Sequence, residues 1–196
     1  MPKIQSTKPP RERILETSQK LFHEEGYRAT GINRILEESN CAKASLYEHF
    51  SSKEKLATAV ARRYEAGILL WQKSILNRSQ TPISFAGNLQ KAVLKQIKAK
   101  EEFHRGCPIA LFSIHFQDEK NILRKEFRNY SLHWEELLIK KINVWKAQSL
   151  IDASKNSRSM ARFILNVYEG ALTMWRISGD ETYLVELKPQ LKKIFE

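Results

Sequence analysis

A short polar segment near the amino end of the chain, "CAKASLYEHFSSKEKL" at residues 41–56, carries side chains suited to binding phosphates and base edges. The hydrogen-bonding side chains at its centre are those of Lys43, Ser45, Tyr47 and His49. A helix from Ala42 to Phe50 would have little more than two turns, and only Leu46 and Phe50 are plainly apolar. Because such a helix is not stable alone, we expect these two residues to anchor it and its polar face to meet a partner outside the chain.

Two other helices are predicted before this segment. Apolar residues at intervals of three and four indicate a first helix that starts near Pro10 and ends at Gly26, a residue type common at helix ends. A second short helix, through residues 32–36, stops at Asn40, which tolerates positive φ. Two short helices joined by a tight turn and packed on a first helix form a helix-turn-helix, whose second helix lies in the major groove of DNA.

Further candidates for DNA contact lie at the starts of neighbouring helices, where exposed backbone amides bind phosphate. The complete predicted set is Thr30, Gly31, Lys43, Ala44, Ser45, Tyr47, His49 and Lys53. An alternative interpretation is a small helical bundle in which Tyr47 and His49 merely pack at a domain interface. Lys53, taken singly, fits an ordinary surface lysine equally well, and only its position at a helix start favours DNA contact.

The run from Arg11 to Leu56 resembles the N-terminal domain of the TetR family of bacterial transcriptional repressors. The specific elements are "LFHEEGYRATGI", "LYEHF" and "SSKEKL", in that order, and "RGCPIALFS" resembles the start of the sixth helix in one branch of the family. The resemblance implies a homodimer that binds a pseudo-palindromic operator and releases it when a small molecule enters the body of the protein. It also implies that Thr30 and Lys53 clamp phosphates on either side of the recognition helix.

Two residues depart from the family pattern. Ala42 stands where a capping serine is usual, and alanine caps poorly. Glu48 stands where an uncharged or aromatic residue is common, and a carboxylate is unfavourable near phosphates. Glu48 therefore either points away from the groove or accepts a hydrogen bond from a cytosine amino group.

The rest of the chain continues the helical pattern, so the fold class is all-α, with about nine helices. Further helices are predicted at about 53–76, 83–102, 108–117, 119–149, 158–178 and 180–195. Pro189 should kink or split the last of them. We expect residues 1–55 to form the helix-turn-helix domain and residues 56–196 to form a ligand-binding and dimerisation domain.

The predicted body is rich in aromatic side chains that could line a pocket between helices. The candidates are Trp71, Phe103, Phe112, Phe116, Trp134, Tyr168 and Trp175. Taken singly, each of them is more typical of a core residue than of a pocket residue. A basic series on the fifth helix favours either a solvated face or an anionic effector, so the small-molecule effector stays unidentified. The family resemblance implies that the last two helices form the dimer interface. Residues 163–175 carry more apolar surface than packing within one chain needs, which fits such an interface.

Cys107 precedes Pro108 at a predicted helix start, where the helix dipole lowers the pKa of a thiol. This position allows a redox-sensing role, and with His104 three residues earlier it allows metal binding. Two candidate ligands do not make a zinc site, however. The simpler interpretation is a buried structural thiol.

The net charge of +11 over 196 residues favours acidic partners such as nucleic acid. Only +2 of it falls in residues 1–55, so charge does not locate the DNA-binding surface. Apolar runs are too short to span a membrane and the amino end is polar without a signal peptide, so we expect a cytoplasmic protein. We expect neither an enzyme nor a cofactor, because no phosphate loop, nucleophile elbow or metal-ligand cluster stands out. A protein that coats or bends DNA without regulation is the remaining alternative.

Overall fold

The computed structural model describes residues 8–99, 106–116 and 122–196, and α-helices are the regular secondary structure of these three stretches. The helices are α1 Pro10–Glu24, α2 Ile32–Ser39, α3 Lys43–His49, α4 Lys53–Arg78, α5 Pro82–Lys98, α6 Pro108–Ser113, α7 Ile122–Ala147, α8 Ser157–Ser178, α9 Thr182–Val185 and α10 Leu187–Phe195. The predicted all-α class is confirmed. The predicted helix at 180–195 is two helices, and Pro189 lies in the first turn of the second, where proline is tolerated.

The chain divides into two compact units. The first contains residues 1–65 and 109–127, and the second contains residues 66–108 and 128–196. Helices α4, α6 and α7 each contribute residues to both. The functional division between residues 55 and 56 stays a prediction.

The first unit is organised around the apolar faces of α1, α2, α3 and the first part of α4. Its fully buried side chains include Ile14, Ile35, Leu46, Leu56 and Val60. Arg63 of α4 forms ion pairs with Glu12 and Glu16 of α1, and the Tyr64 hydroxyl donates to the Gln19 carbonyl at 3.0 Å. These polar contacts hold the first half of α4 against α1.

The second unit packs α10 against α5 and α8. Its buried apolar residues include Phe85, Leu89, Leu138, Ile142, Trp145, Ile164, Leu172, Leu187, Leu191 and Phe195. A capping box opens α5: the Ser84 amide donates to the Thr81 hydroxyl at 3.1 Å and the Thr81 amide donates to the Ser84 hydroxyl at 2.9 Å. The Trp145 indole N–H reaches the Gln80 carbonyl at 3.1 Å, so a large buried ring keeps its donor paired.

Candidate nucleic-acid interface and effector cavity

Helix α3 presents a polar face opposite a buried anchor. Leu46 and Phe50 are 0% and 4% exposed, which confirms them as the anchor. The other side chains of α3 point outward: Lys43, Ala44, Tyr47, Glu48 and His49 are exposed, and Ser45 is half-buried. Tyr47 in particular keeps 47% of its surface, an unusual fraction for an aromatic residue that a fold uses for packing.

The turn between α2 and α3 is held by backbone geometry and by α1. Asn40 adopts the left-handed conformation expected of it, with φ 50° and ψ 48°. The Arg13 guanidinium donates to the Asn40 carbonyl and to the Cys41 sulfur, both at 3.3 Å. Ala42 is the N-cap of α3 and supplies no side-chain cap, as its residue type predicts. The sequence did not predict this hydrogen bond, because Arg13 and Asn40 lie 27 positions apart in the chain.

Lys53 stands at the first position of α4, with its ammonium 4.4 Å from the centroid of the Tyr27 ring. A cation over an aromatic face is attracted by the ring's negative face. Burial lowers the pKa of Lys53, and burial together with nearby Glu54 raises the pKa of Tyr27. Tyr27 is therefore a positioning residue that sequence reasoning missed.

Thr30 and Gly31 occupy the entry to α2 in different ways. Thr30 is fully buried, and its hydroxyl donates to the Gly26 carbonyl at 2.8 Å and to the Leu21 carbonyl at 3.3 Å. Gly31 is the exposed N-cap of α2, and a Cβ placed on it would meet nothing within 4 Å. The Thr30 side chain thus ties the turn after α1, and a direct phosphate contact from its hydroxyl stays a prediction.

Some charged residues on α2 and α3 form ion pairs within the chain and others do not. Arg34 lies 3.2 Å from Glu38 and 3.8 Å from Glu25. In contrast, within the described part of the chain, Lys43 and Glu48 on α3 form no ion pair. Their charges are available to an external partner.

The second unit contains a small cavity lined by residues of α4, α5 and α8. Its enclosed volume is about 10 Å³, which is room for about one water molecule. The lining includes Ile68, Trp71, Val93, Cys107, Tyr168 and Leu172. Two of the predicted pocket residues, Trp71 and Tyr168, therefore meet here, with ring centroids 6.3 Å apart.

The other predicted pocket residues lie elsewhere. Trp134 packs behind Tyr168, edge to face at 4.8 Å, and Trp175 is half-buried on α8 without lining the cavity. Phe112 and Phe116 belong to the core of the first unit: Phe112 stacks on Phe22 at 5.7 Å, and Phe116 packs on Tyr27 at 4.6 Å. Their aromatic partners come from α1 and the turn after it, which periodicity alone does not reveal. Phe103 lies outside the described residues.

Two polar residues close to the cavity, the buried Gln72 and the half-buried Glu169, were not expected from the sequence. The Gln72 amide nitrogen donates to the Tyr130 hydroxyl at 3.2 Å, and the Gln72 carbonyl oxygen has no partner among the residues that the structure describes. The Glu169 carboxylate accepts a hydrogen bond from the Cys107 thiol, and burial raises the pKa of Glu169 to about 7. Burial likewise raises the pKa of Tyr168. The one sequence signal is that Gln72 and Glu169 each adjoin a predicted pocket aromatic.

Cys107 itself is buried, with its thiol directed to a carboxylate. Across the three described stretches no group of three or more His, Cys, Asp or Glu side chains could hold a metal ion, and His104 lies outside them. No helix of the described stretches is long and apolar enough to cross a bilayer.

Comparisons with known proteins agree with this arrangement. Residues 14–60 match the family described as bacterial regulatory proteins, tetR family, and residues 88–191 match the tetracyclin repressor-like C-terminal domain. An uncharacterized HTH-type transcriptional regulator in the lacX 3' region of Lactococcus lactis is 28% identical over 194 residues, covering 95% of this chain and 93% of that protein. The HTH-type transcriptional repressor DhaR of Mycobacterium sp. is 23% identical over 170 residues, covering 86% and 83%.

Solved structures share the fold. Reduced NemR of E. coli superposes with a TM-score of 0.84 at 20% identity, covering 96% of this chain and 98% of that one. The second family match alone covers more than half of the chain. The chain therefore belongs to the TetR family and is a helix-turn-helix transcriptional regulator rather than an enzyme.

Proposed function

We propose that the protein is a homodimeric repressor that reads a two-fold symmetric operator and releases it when a small molecule binds. The observation that carries this proposal is α3, a helix too short to be stable alone, which buries Leu46 and Phe50 and directs its polar side chains outward. A recognition helix needs this division between anchor and reading face. The proposed location is the cytoplasm, and the proposed mechanism uses no cofactor or metal.

Each DNA-contacting residue has a role suited to its chemistry. The proposed contacts are Gly31, Lys43, Ala44, Ser45, Tyr47, His49 and Lys53, and the buried Thr30 supports them by tying the turn before α2. Lys53 and the exposed amides at the start of α2 bind phosphates, which sets position without reading sequence. Side chains of α3 reach base edges in the major groove, where each base pair presents a distinct pattern.

The proposed dimer forms through α8 and α10. The exposed face of α8 carries large apolar side chains that a monomer would leave in water: Phe163, Met174 and Ile177. Gly170 lies between them on the same helix, and a Cβ there would meet nothing within 4 Å, so a second helix can approach closely. Within residues 163–175, the range predicted to supply this surface, Ile164, Ala171 and Leu172 are buried within the chain, whereas Phe163 is exposed.

The proposed effector site is the cavity that Trp71 and Tyr168 line. A drug-sized ligand needs roughly 300 Å³ or more, so the cavity of about 10 Å³ must open to admit one. An effector therefore binds the open form, and operator release follows if that form disfavours DNA. The required coupling is typically about 1–3 kcal/mol. We propose that α4, which runs from the phosphate-binding Lys53 past Trp71, transmits the change.

A random-duplex selection with the purified protein at one fixed, moderate salt concentration tests the proposal, since affinity without a salt value is not interpretable. We expect enrichment of a two-fold symmetric site. Binding that tracks salt alone, with no enriched sequence, would indicate a protein that coats DNA. For the effector, equal small-molecule affinity of free and operator-bound protein would exclude release by ligand.

A response to oxidants through Cys107 is the alternative mode of regulation. It requires the thiol, so a Cys107→Ser protein should lose the response under that alternative. Under our proposal the same variant binds the operator and releases it with effector as the parent does. Burial of Cys107 and its hydrogen bond to Glu169 favour the structural role.

A further inference from the structure

Glu48 lies at the centre of the exposed face of α3. Leu46 marks the buried side of α3, and Phe50, the C-cap that follows the helix, is buried as well. Successive residues of an α-helix are rotated by about 100°, so Glu48 lies about 160° around the helix from Leu46. The observed exposures agree, because Leu46 and Phe50 are buried whereas Glu48 is exposed. An orientation away from the groove is therefore inconsistent with α3 entering DNA by its exposed face.

Ala44 lies one turn before Glu48 on the same side of α3. Its methyl group is too short to cover the carboxylate or to hold α3 away from a base edge. Ala44 is itself exposed. The middle of the exposed face thus has the small Ala44 beside the longer Glu48, so the Glu48 carboxylate can approach a base edge closely.

The fold does not use the charge of Glu48. Other glutamates of the first unit form ion pairs with arginines, among them Glu12, Glu16, Glu25, Glu38 and Glu126. Glu48 forms no such pair with any residue that the structure describes. A stabilising role in the free protein therefore does not explain it, and a carboxylate brought between two phosphate backbones is repelled by them. Only a hydrogen-bond donor on a base edge can offset that cost.

Cytosine offers the donor that suits a carboxylate. In the major groove guanine presents two acceptors and thymine presents one, so both repel a carboxylate. Adenine presents a donor beside the N7 acceptor, whereas cytosine presents its amino group without an adjacent acceptor on the same base. We propose that Glu48 reads one cytosine in each half-site by accepting a hydrogen bond from its exocyclic amino group. This inference rests on the proposed function, because it requires α3 to enter the groove.

The carboxylate acts by repulsion as well as attraction. It lowers affinity for every sequence that lacks cytosine at the contacted position, and specificity is a difference between the affinities for two partners. Removing the negative charge should consequently strengthen binding to unrelated duplexes while it weakens discrimination. This opposite pair of effects distinguishes a reading residue from one that merely supports α3, whose loss would weaken both.

The test repeats the random-duplex selection with Glu48→Ala and Glu48→Gln beside the parent. We expect the parent to enrich cytosine at one position in each half-site and Glu48→Ala to lower that preference by about 10- to 100-fold. Glu48→Gln should move the preference toward adenine, which an amide contacts with both a donor and an acceptor. Glu37→Gln is the matched control: Glu37 is an exposed glutamate of α2, outside the recognition helix, and its loss should leave every position unchanged.

Removal of one amino group from the DNA gives a second test. In the selected duplex, the contacted cytosine is replaced by 2-pyrimidinone, which lacks the amino group. The parent should lose about tenfold or more in affinity, and Glu48→Ala should lose none. An unchanged cytosine preference in both variants, or equal parent affinity for both duplexes, overturns the role of Glu48 and leaves the proposed function standing. A parent that enriches no sequence overturns both.

Discussion

Lys53 is a cation that the fold positions before any DNA is present. Tyr27 holds its ammonium at 4.4 Å from the ring centroid, at the start of α4. We expect Lys53→Gln to weaken binding to all duplexes alike and to reduce the slope of log affinity against log salt by about two, because each subunit of the proposed dimer loses one phosphate contact. Lys20→Gln, which removes an exposed charge from α1, is the control and should change neither. A change confined to one operator position would show that Lys53 reads a base instead.

Glu169 gives the second unit a defined pH dependence. Burial raises its pKa from 4.5 to about 7, so between these values the folded protein binds a proton that the unfolded chain has released. The free energy of unfolding should therefore fall as pH rises from about 4.5 to about 7, and then level off. Glu169→Gln removes this contribution and should be more stable than the parent at pH 8 by about 1–2 kcal/mol, after allowance for partial solvent screening.

Urea unfolding of both proteins at several pH values measures this difference. The two proteins should be compared with each other at each pH, because other groups titrate in the same range and cancel in the comparison. Parallel stability curves from pH 4.5 to 8 would mean that Glu169 is as well solvated in the folded protein as in the unfolded chain.

At the scale of the elements, α3 separates stability from recognition within two adjacent residues. Leu46 is fully buried and Tyr47 is half exposed. Leu46→Ala should lower the free energy of unfolding by about 2–5 kcal/mol, because it leaves a cavity in the core. Tyr47→Ala should leave stability nearly unchanged and weaken operator binding. Urea unfolding and operator titration of both variants check this contrast, which equal stability losses would contradict.

The sequence was most informative where the determinants are local. The anchor of Leu46 and Phe50, the left-handed Asn40 and the uncapped Ala42 all depend on residues within a few positions. Contacts between distant segments were not predictable. Phe112 and Phe116 looked like pocket residues because they are aromatic, but partners from α1 and its following turn place them in the first unit's core.

The same reasoning explains the missed groups beside the cavity. Gln72 and Glu169 become notable only when folding buries them near Tyr130 and Cys107. A polar residue on a helix is ordinarily solvated, so its type carries no signal before its burial is known. Among the described residues, helix ends were predicted to within a few residues, except at residues 180–195, where the chain makes two helices instead of one. The helix ends predicted at residues 102, 117 and 119 lie outside the described residues.

At the scale of the whole molecule, the account requires a dimer through α8. Ile177 keeps 74% of its surface exposed in the single chain, and Leu70 on α4 keeps 70%. We expect Ile177→Glu to yield a folded monomer with weakened operator binding, because it places a charge in the proposed dimer interface. Leu70→Glu, a matched change outside that interface, should remain dimeric. Sedimentation velocity distinguishes these outcomes, and a dimeric Ile177→Glu protein would place the interface elsewhere.

The central claim is that two recognition helices of one dimer read two half-sites together. Its most direct test is operator affinity as a function of half-site separation, measured at constant salt on the selected site and on sites with five added base pairs. We expect the insertion to lower operator affinity by about 100-fold or more. Half a helical turn moves one half-site to the opposite side of the DNA, where the second recognition helix cannot reach it. An operator affinity that does not change with half-site separation would show that the two recognition helices bind independently and would contradict the account.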